Sequence, residues 1–132
     1  MVIDELGSLD CIYTDSKLEK KQFAVEHFIP YAFVSHDLFW NLIPANASFN
    51  SSKSDRLPQL DKYFDRFYTL QKSAIEIIKY KSPKEKILED YLSIFPDLEQ
   101  VTELPETYKA KFKNTIAPLI TIASNNGFEY MR

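Results

Sequence analysis

VEHFIPYAFVSHDLFWNLIPANASFNSSKSDRLP, residues Val25–Pro58, holds most of the side chains in this chain that can do chemistry. Glu26 and His27 are adjacent, and Pro30 follows three residues after the histidine. Asn41 lies 14 residues beyond His27, Asn50 lies 23 beyond it, and Lys53 stands three after Asn50. An imidazole titrates near neutrality, so His27 can take a proton from water at working pH. The Glu26 carboxylate and the Asn50 amide carbonyl are hard oxygen donors of the kind Mg²⁺ accepts, and that ion keeps several waters and so needs few protein ligands. Neighbours on a strand point to opposite faces, so Glu26 and His27 share a site only if the strand ends or twists between them. Pro30 marks the chain leaving the strand. Asn50 and Lys53 project from one face if their segment is helical.

Each signal also has an ordinary reading. Glu-His pairs are common, Asn41 suits a turn, and Asn50 with Lys53 suits a solvated helix start. His36 reads as an exposed or capping histidine. The ordered set at these spacings is the informative feature. With Phe28-Ile29-Pro30 and Lys53-Ser54-Asp55 beside it, the stretch resembles the HNH endonucleases in the variant whose last letter is Asn. The likeness extends to Pro58 and runs without a gap against the HNH domain of RNA-guided CRISPR nucleases; restriction-type HNH endonucleases are similar too.

The resemblance implies a ββα-metal fold and a metal-dependent hydrolysis of phosphodiester bonds in DNA. It makes His27 the general base and gives Glu26 and Asn50 one Mg²⁺ (or Mn²⁺) to hold, leaving 5′-phosphate and 3′-hydroxyl ends. It has Asn41 fix the loop that orients the histidine, and sets Lys53 near phosphate, where Arg56 can assist. One departure stands out: the usual Asp before the histidine is Glu26 here. Its extra methylene moves the carboxylate by about 1 Å, against a catalytic tolerance of about 0.5 Å. A catalytically weak or inactive nucleic-acid-binding module is therefore the alternative from another class. A third reading is the nuclease piece of a larger restriction or mobile-element protein.

The whole chain sets bounds on these readings. Its 132 residues suit one domain, 1–132, and a 45% hydrophobic content is enough for a packed core. Two glycines, Gly7 and Gly127, disfavour a loop-rich all-β design. One cysteine, Cys11, excludes an internal disulfide and the Cys-x-x-Cys zinc knuckle that many HNH proteins carry. No run of about 18 apolar residues occurs and the start lacks a secretory pattern, so the cytoplasm is the expected compartment. The net charge of −3 sits poorly with phosphate contacts. The charge is segregated, however: Asn50–Lys86 holds nine basic and five acidic residues, and Ile87–Tyr108 holds six acidic and no basic ones.

In order, residues 1–10 read as a lead-in, or as the end of something longer upstream. Cys11–Thr14 is a short β-favouring run, and Gln22–Val25 a strand that delivers Glu26 and His27. Pro30–Trp40 reads as a long aromatic loop, Trp40–Pro44 as the second strand, and Asn46–Asp55 as the helix bearing Asn50. After Pro58 the period becomes helical. Leu60, Phe64, Phe67, Leu70, Ala74, Ile77 and Ile78 mark a helix to about Lys79. Ser82-Pro83-Lys84-Glu85 is a start signal for a second helix, Pro83–Phe95. A third begins near Pro105, with Pro118 expected to kink or split it and Asn125-Asn126-Gly127 to stop it. The expectation is an α+β fold, with a ββα core over 11–58 packed on a bundle of about three helices from 59–132. That helical half stands in for the absent zinc knuckles.

Overall fold

The computed structural model describes residues 9–18, 23–35, 38–81, 86–93 and 105–131. The chain is α+β: small antiparallel strand pairs and a short helix, with longer helices in the C-terminal half. Two-residue strands β1 (Leu9–Asp10) and β2 (Lys17–Leu18) form a small hairpin. Cys11–Thr14 is thus the turn of that hairpin and not the strand expected from its composition. Its apolar side chains face inward; Cys11 and Ile12 are buried. β-Branched and aromatic content marks burial at this point, not an extended backbone.

The second pair is β3 (Ala24–His27) with β4 (Leu42–Ala45), in a register that sets Glu26 opposite Ile43 and His27 opposite Leu42. The expected strand Trp40–Pro44 is shifted toward the C-terminus, because Phe39–Asn41 forms a 3₁₀ turn first. Between the strands, helix α1 (Tyr31–Val34) follows Pro30 and ends at Ser35 in the left-handed region, where the sequence predicts a continuous loop. His36 lies outside the described residues. Helix α2 (Ala47–Lys53) is shorter than Asn46–Asp55 because Asn46 caps it: its side chain accepts from the Phe49 N–H at 3.0 Å.

Helix α3 (Leu60–Lys81) has 22 residues, about 33 Å. Its buried stripe is Tyr63, Phe64, Phe67, Tyr68, Gln71, Ala74, Ile75 and Ile78. This face is rotated from the expected one: Leu60, Leu70 and Ile77 are only half-buried, and two tyrosines and a glutamine take buried places. Lys86–Ser93 is a 3₁₀ helix burying Leu88 and Tyr91; the expected cap at Ser82–Glu85 and the end at Phe95 lie outside the described residues. Helix α4 (Pro105–Asn125) runs through Pro118 unsplit. Pro118 and Asn114 are both exposed, so water can satisfy the carbonyl the proline leaves unbonded. The stop is the one expected. Gly127 has φ 102°, Phe128 N–H reaches Ala123 O at 3.1 Å, and Gly127 N–H reaches Ser124 O at 3.1 Å, the paired bonds of a Schellman ending.

Aromatic rings join the two halves. Phe28 stacks on Phe67 with centroids 4.0 Å apart, Phe67 meets Phe112 edge-on at 5.4 Å, and Trp40 meets Phe112 at 6.1 Å. The residue after His27 is thereby pressed onto α3 and α4. The segment after α4 returns to the site unit, with Leu57 N–H on Glu129 O and Met131 N–H on Leu57 O, both 2.8 Å. No helix among the described residues is long and apolar enough to cross a membrane.

Candidate active site

Phe28 N–H donates to Asn41 O at 2.9 Å, while Asn41 N–H turns to Leu38 O at 2.9 Å, so residues 28 and 41 share a single bond just past the end of the antiparallel ladder. By alternation, His27 and Leu42 form a non-bonded pair whose carbonyls point away from each other. Both are captured by side chains. His27 O accepts from Lys53 Nζ at 3.0 Å, and Leu42 O from Gln71 Nε2 at 3.0 Å. One residue further, Phe28 O also accepts from Lys53 Nζ, at 3.2 Å.

Asn41 is fully buried and bonds both backbone groups of Ile29, accepting from its N–H at 2.7 Å and donating to its C=O at 2.8 Å. The chain leaving β3 is therefore held two residues past the histidine. The His27 ring faces that of Tyr31 at 5.3 Å, tilted by 57°.

Glu26 points inward, as strand alternation requires if His27 points outward. Its side chain is 2% exposed, and Lys53 Nζ lies 2.6 Å from its Oε1. The Tyr13 hydroxyl donates to both carboxylate oxygens, at 3.2 and 3.0 Å. Burial pushes the Glu26 carboxyl above the ordinary carboxylate range, against the downward pull of the Lys53 ammonium and the Tyr13 hydroxyl. Burial, and then the Glu26 charge, push the Tyr13 phenol well above its usual value. Lys53 therefore faces the protein interior instead of the surface. It holds one carboxylate and two consecutive carbonyls of the strand end.

Glu26 and Lys53 are brought into contact, and Asn50 lies three residues before Lys53 on α2, half-buried. His27 follows Glu26 at the end of β3 and is half-buried, and Arg56 is exposed beyond α2. Two site residues escape a reading of the sequence. Tyr13 carries no signal, because its contact with Glu26 spans 13 residues and an unrelated turn. Gln71 does carry one: it is an amide four residues from Phe67 and four from Ile75, inside an apolar stripe.

The donor set suits a hard divalent ion, since Glu26 and Asn50 both offer oxygen. The Lys53 ammonium already stands on Glu26. A divalent ion would have to share that carboxylate with Lys53 or displace it. Among the described residues, no group of three or more His, Cys, Asp or Glu side chains could hold a metal.

Two antiparallel strands followed by a helix, with a histidine at the strand end and an asparagine clasp behind it, define the ββα class. Residues 11–59 match the HNH endonuclease family. That stretch is a little over a third of the 132 residues, and it contains Tyr13, Glu26, His27, Asn41, Asn50 and Lys53 but not Gln71. The match supports a likeness to HNH endonucleases over that stretch, which implies a nuclease, and so a hydrolase acting on nucleic acid, in general terms. HNH endonucleases typically use divalent metals. Comparison with curated proteins and with solved structures gave no match.

Proposed function

We infer that this chain is a divalent-metal-dependent endonuclease that hydrolyses phosphodiester bonds in DNA. The observation that carries this reading is the grip on the backbone around His27, by Asn41 on Ile29 and by Lys53 on the His27 and Phe28 carbonyls. Catalysis by a general base depends on placing the proton acceptor within hydrogen-bond reach of its water, and a histidine at an unsupported strand end would wander. His27 takes a proton from the attacking water as the water oxygen bonds to phosphorus. The bond from phosphorus to the 3′ oxygen breaks, the departing oxygen takes a proton from solvent water, and the ends are left as 5′-phosphate and 3′-hydroxyl. Mg²⁺ or Mn²⁺, held by Glu26 and Asn50, would neutralise charge on the phosphate oxygens. Asn41 keeps the loop in place, and Lys53 acts from inside, on Glu26 and the strand end. Arg56, exposed beyond α2, is available to a phosphate.

Supercoiled plasmid incubated with the protein and Mg²⁺ or Mn²⁺ provides the test. Nicking that needs the metal and is lost in His27→Ala is the expected result. Intact plasmid with both proteins across metals overturns catalysis by this chain alone.

A second reading is favoured by the engagement of both Glu26 oxygens by Lys53 and Tyr13: a nucleic-acid-binding module that keeps the fold without turnover. It would retain DNA without cleaving it, and lose that retention steeply as salt rises. A third reading is the nuclease piece of a larger restriction or mobile-element protein, in which case target selection would fall to a further domain or partner.

A further inference from the structure

The stretch that matches the HNH family ends at residue 59, yet side chains from two helices of the C-terminal half reach back to its β4 edge. Phe39–Leu42 is the segment between them. At its start, the Phe39 N–H donates to Asp90 Oδ2 at 2.8 Å, and the Phe39 ring meets Tyr91 edge-on at 5.9 Å. At its end, Leu42 O accepts from Gln71 Nε2 at 3.0 Å, and Gln71 Oε1 accepts in turn from the Tyr91 hydroxyl at 2.5 Å. In between sits Asn41, with its clasp on Ile29. Gln71 is 2% exposed and Tyr91 fully buried.

A buried amide has to find partners somewhere, so hydrogen bonding by itself says little. The choice of carbonyl is what matters. Leu42 is the ladder partner of His27, and its carbonyl, like that of His27, points outward from a non-bonded pair, with no strand neighbour to steady it. An apolar residue at position 71 would fill the stripe of α3 without the desolvation cost of an amide.

We propose that Gln71, backed by Tyr91, is a positioning residue for His27. It sets the height of β4 beside the histidine and acts through Leu42, without touching substrate. This rests on the nuclease reading above for its catalytic consequence, but the positioning itself can be measured apart from it. The relay also gives the helical half a specific role, because Gln71 from α3 and Asp90 and Tyr91 from the 3₁₀ helix brace one strand end from outside the ββα unit.

The test uses the full chain carrying Gln71→Met or Tyr91→Phe, with Ile75→Val on the same helix as a control that loosens packing alone. Plasmid nicking supplies kcat and KM, and amide hydrogen exchange at Phe28, whose N–H bonds to Asn41 O, reports the ladder beside His27. Gln71→Met should lower kcat about tenfold or more with KM within about twofold, and Tyr91→Phe should do the same to a smaller degree. Phe28 exchange should quicken in both and stay unchanged in Ile75→Val. Equal kcat in Gln71→Met and Ile75→Val, with unaltered Phe28 exchange, overturns the proposal. If the wild-type chain does not cleave, the nuclease reading fails. Phe28 exchange then decides the positioning alone: faster exchange in the two variants upholds it, unchanged exchange ends it.

Discussion

Lys53 carries its charge inward, and that orientation changes what the residue is for. A lysine three residues after Asn50 suggests a phosphate contact, since sequence spacing places it on the ligand-bearing face of a helix. Side-chain length decides otherwise. Four methylenes reach from α2 under β3 to Glu26 and the carbonyls of His27 and Phe28. Removing one partner of a buried ion pair strands the other charge, which typically costs about 3–5 kcal/mol. Lys53→Met should therefore destabilise the protein by that order in denaturant unfolding. Adding Glu26→Gln to it should return a large part of the loss, so the two changes are strongly non-additive. Additive losses would show that the pair contributes no coupling. Glu26 itself is legible as a candidate metal ligand from its place before His27. Its commitment to Tyr13 and Lys53 is not, because nothing in a linear string tells which cation a carboxylate will meet.

At the scale of elements, α2 is the piece on which the site depends most and which has least support of its own. Seven residues are too few for a helix to hold itself in water, so its cap matters. Asn46 accepts from the Phe49 N–H, and its own N–H approaches Cys11 Sγ at 3.4 Å. Asn46→Ala should cost about 1 kcal/mol and, by fraying the helix that carries Asn50 and Lys53, lower nicking as well. Thermal melting and the plasmid assay read the two effects. A variant that melts early but nicks at the wild-type rate would mean that packing alone holds α2. Element types are legible wherever local chemistry is strong: the Asn46 start, the Gly127 stop, the helical period after Pro58. They mislead where burial mimics propensity, as in the Cys11–Thr14 turn, and at Pro118, where exposure lets a helix continue through a residue that signals a break.

Across the molecule, rings hold the ββα unit to its helices, and several phenols are buried among them. Burial, followed by the nearby Glu106 and Glu76 charges, pushes the Tyr68 phenol up to about 12. Burial and then Asp90 raise Tyr91, and burial and then Glu26 raise Tyr13. Each holds its proton more tightly folded than unfolded. The stability this lends is complete below the ordinary phenol value of 10.0 and is lost as pH rises from there, through about 12 for Tyr68. Alkaline titration should show phenolate absorbance from these tyrosines rising together with the loss of far-UV circular dichroism. Ionisation of all the phenols near their normal pH, with native dichroism retained, would contradict this packing.

What the string of residues determined by itself was chemistry and spacing: the ordered Glu26, His27, Asn41, Asn50 and Lys53, and an apolar period that calls for helices. Those are local properties, set by side-chain type and by the repeat of the backbone. Tertiary structure alone decided which groups meet. It buried the Lys53 ammonium on Glu26, brought Tyr13 to the same carboxylate, and carried Gln71 across 29 residues of chain to the carbonyl opposite His27. The physical reason is that a buried polar atom takes whichever partner the packing of distant elements supplies, and no local pattern encodes that choice.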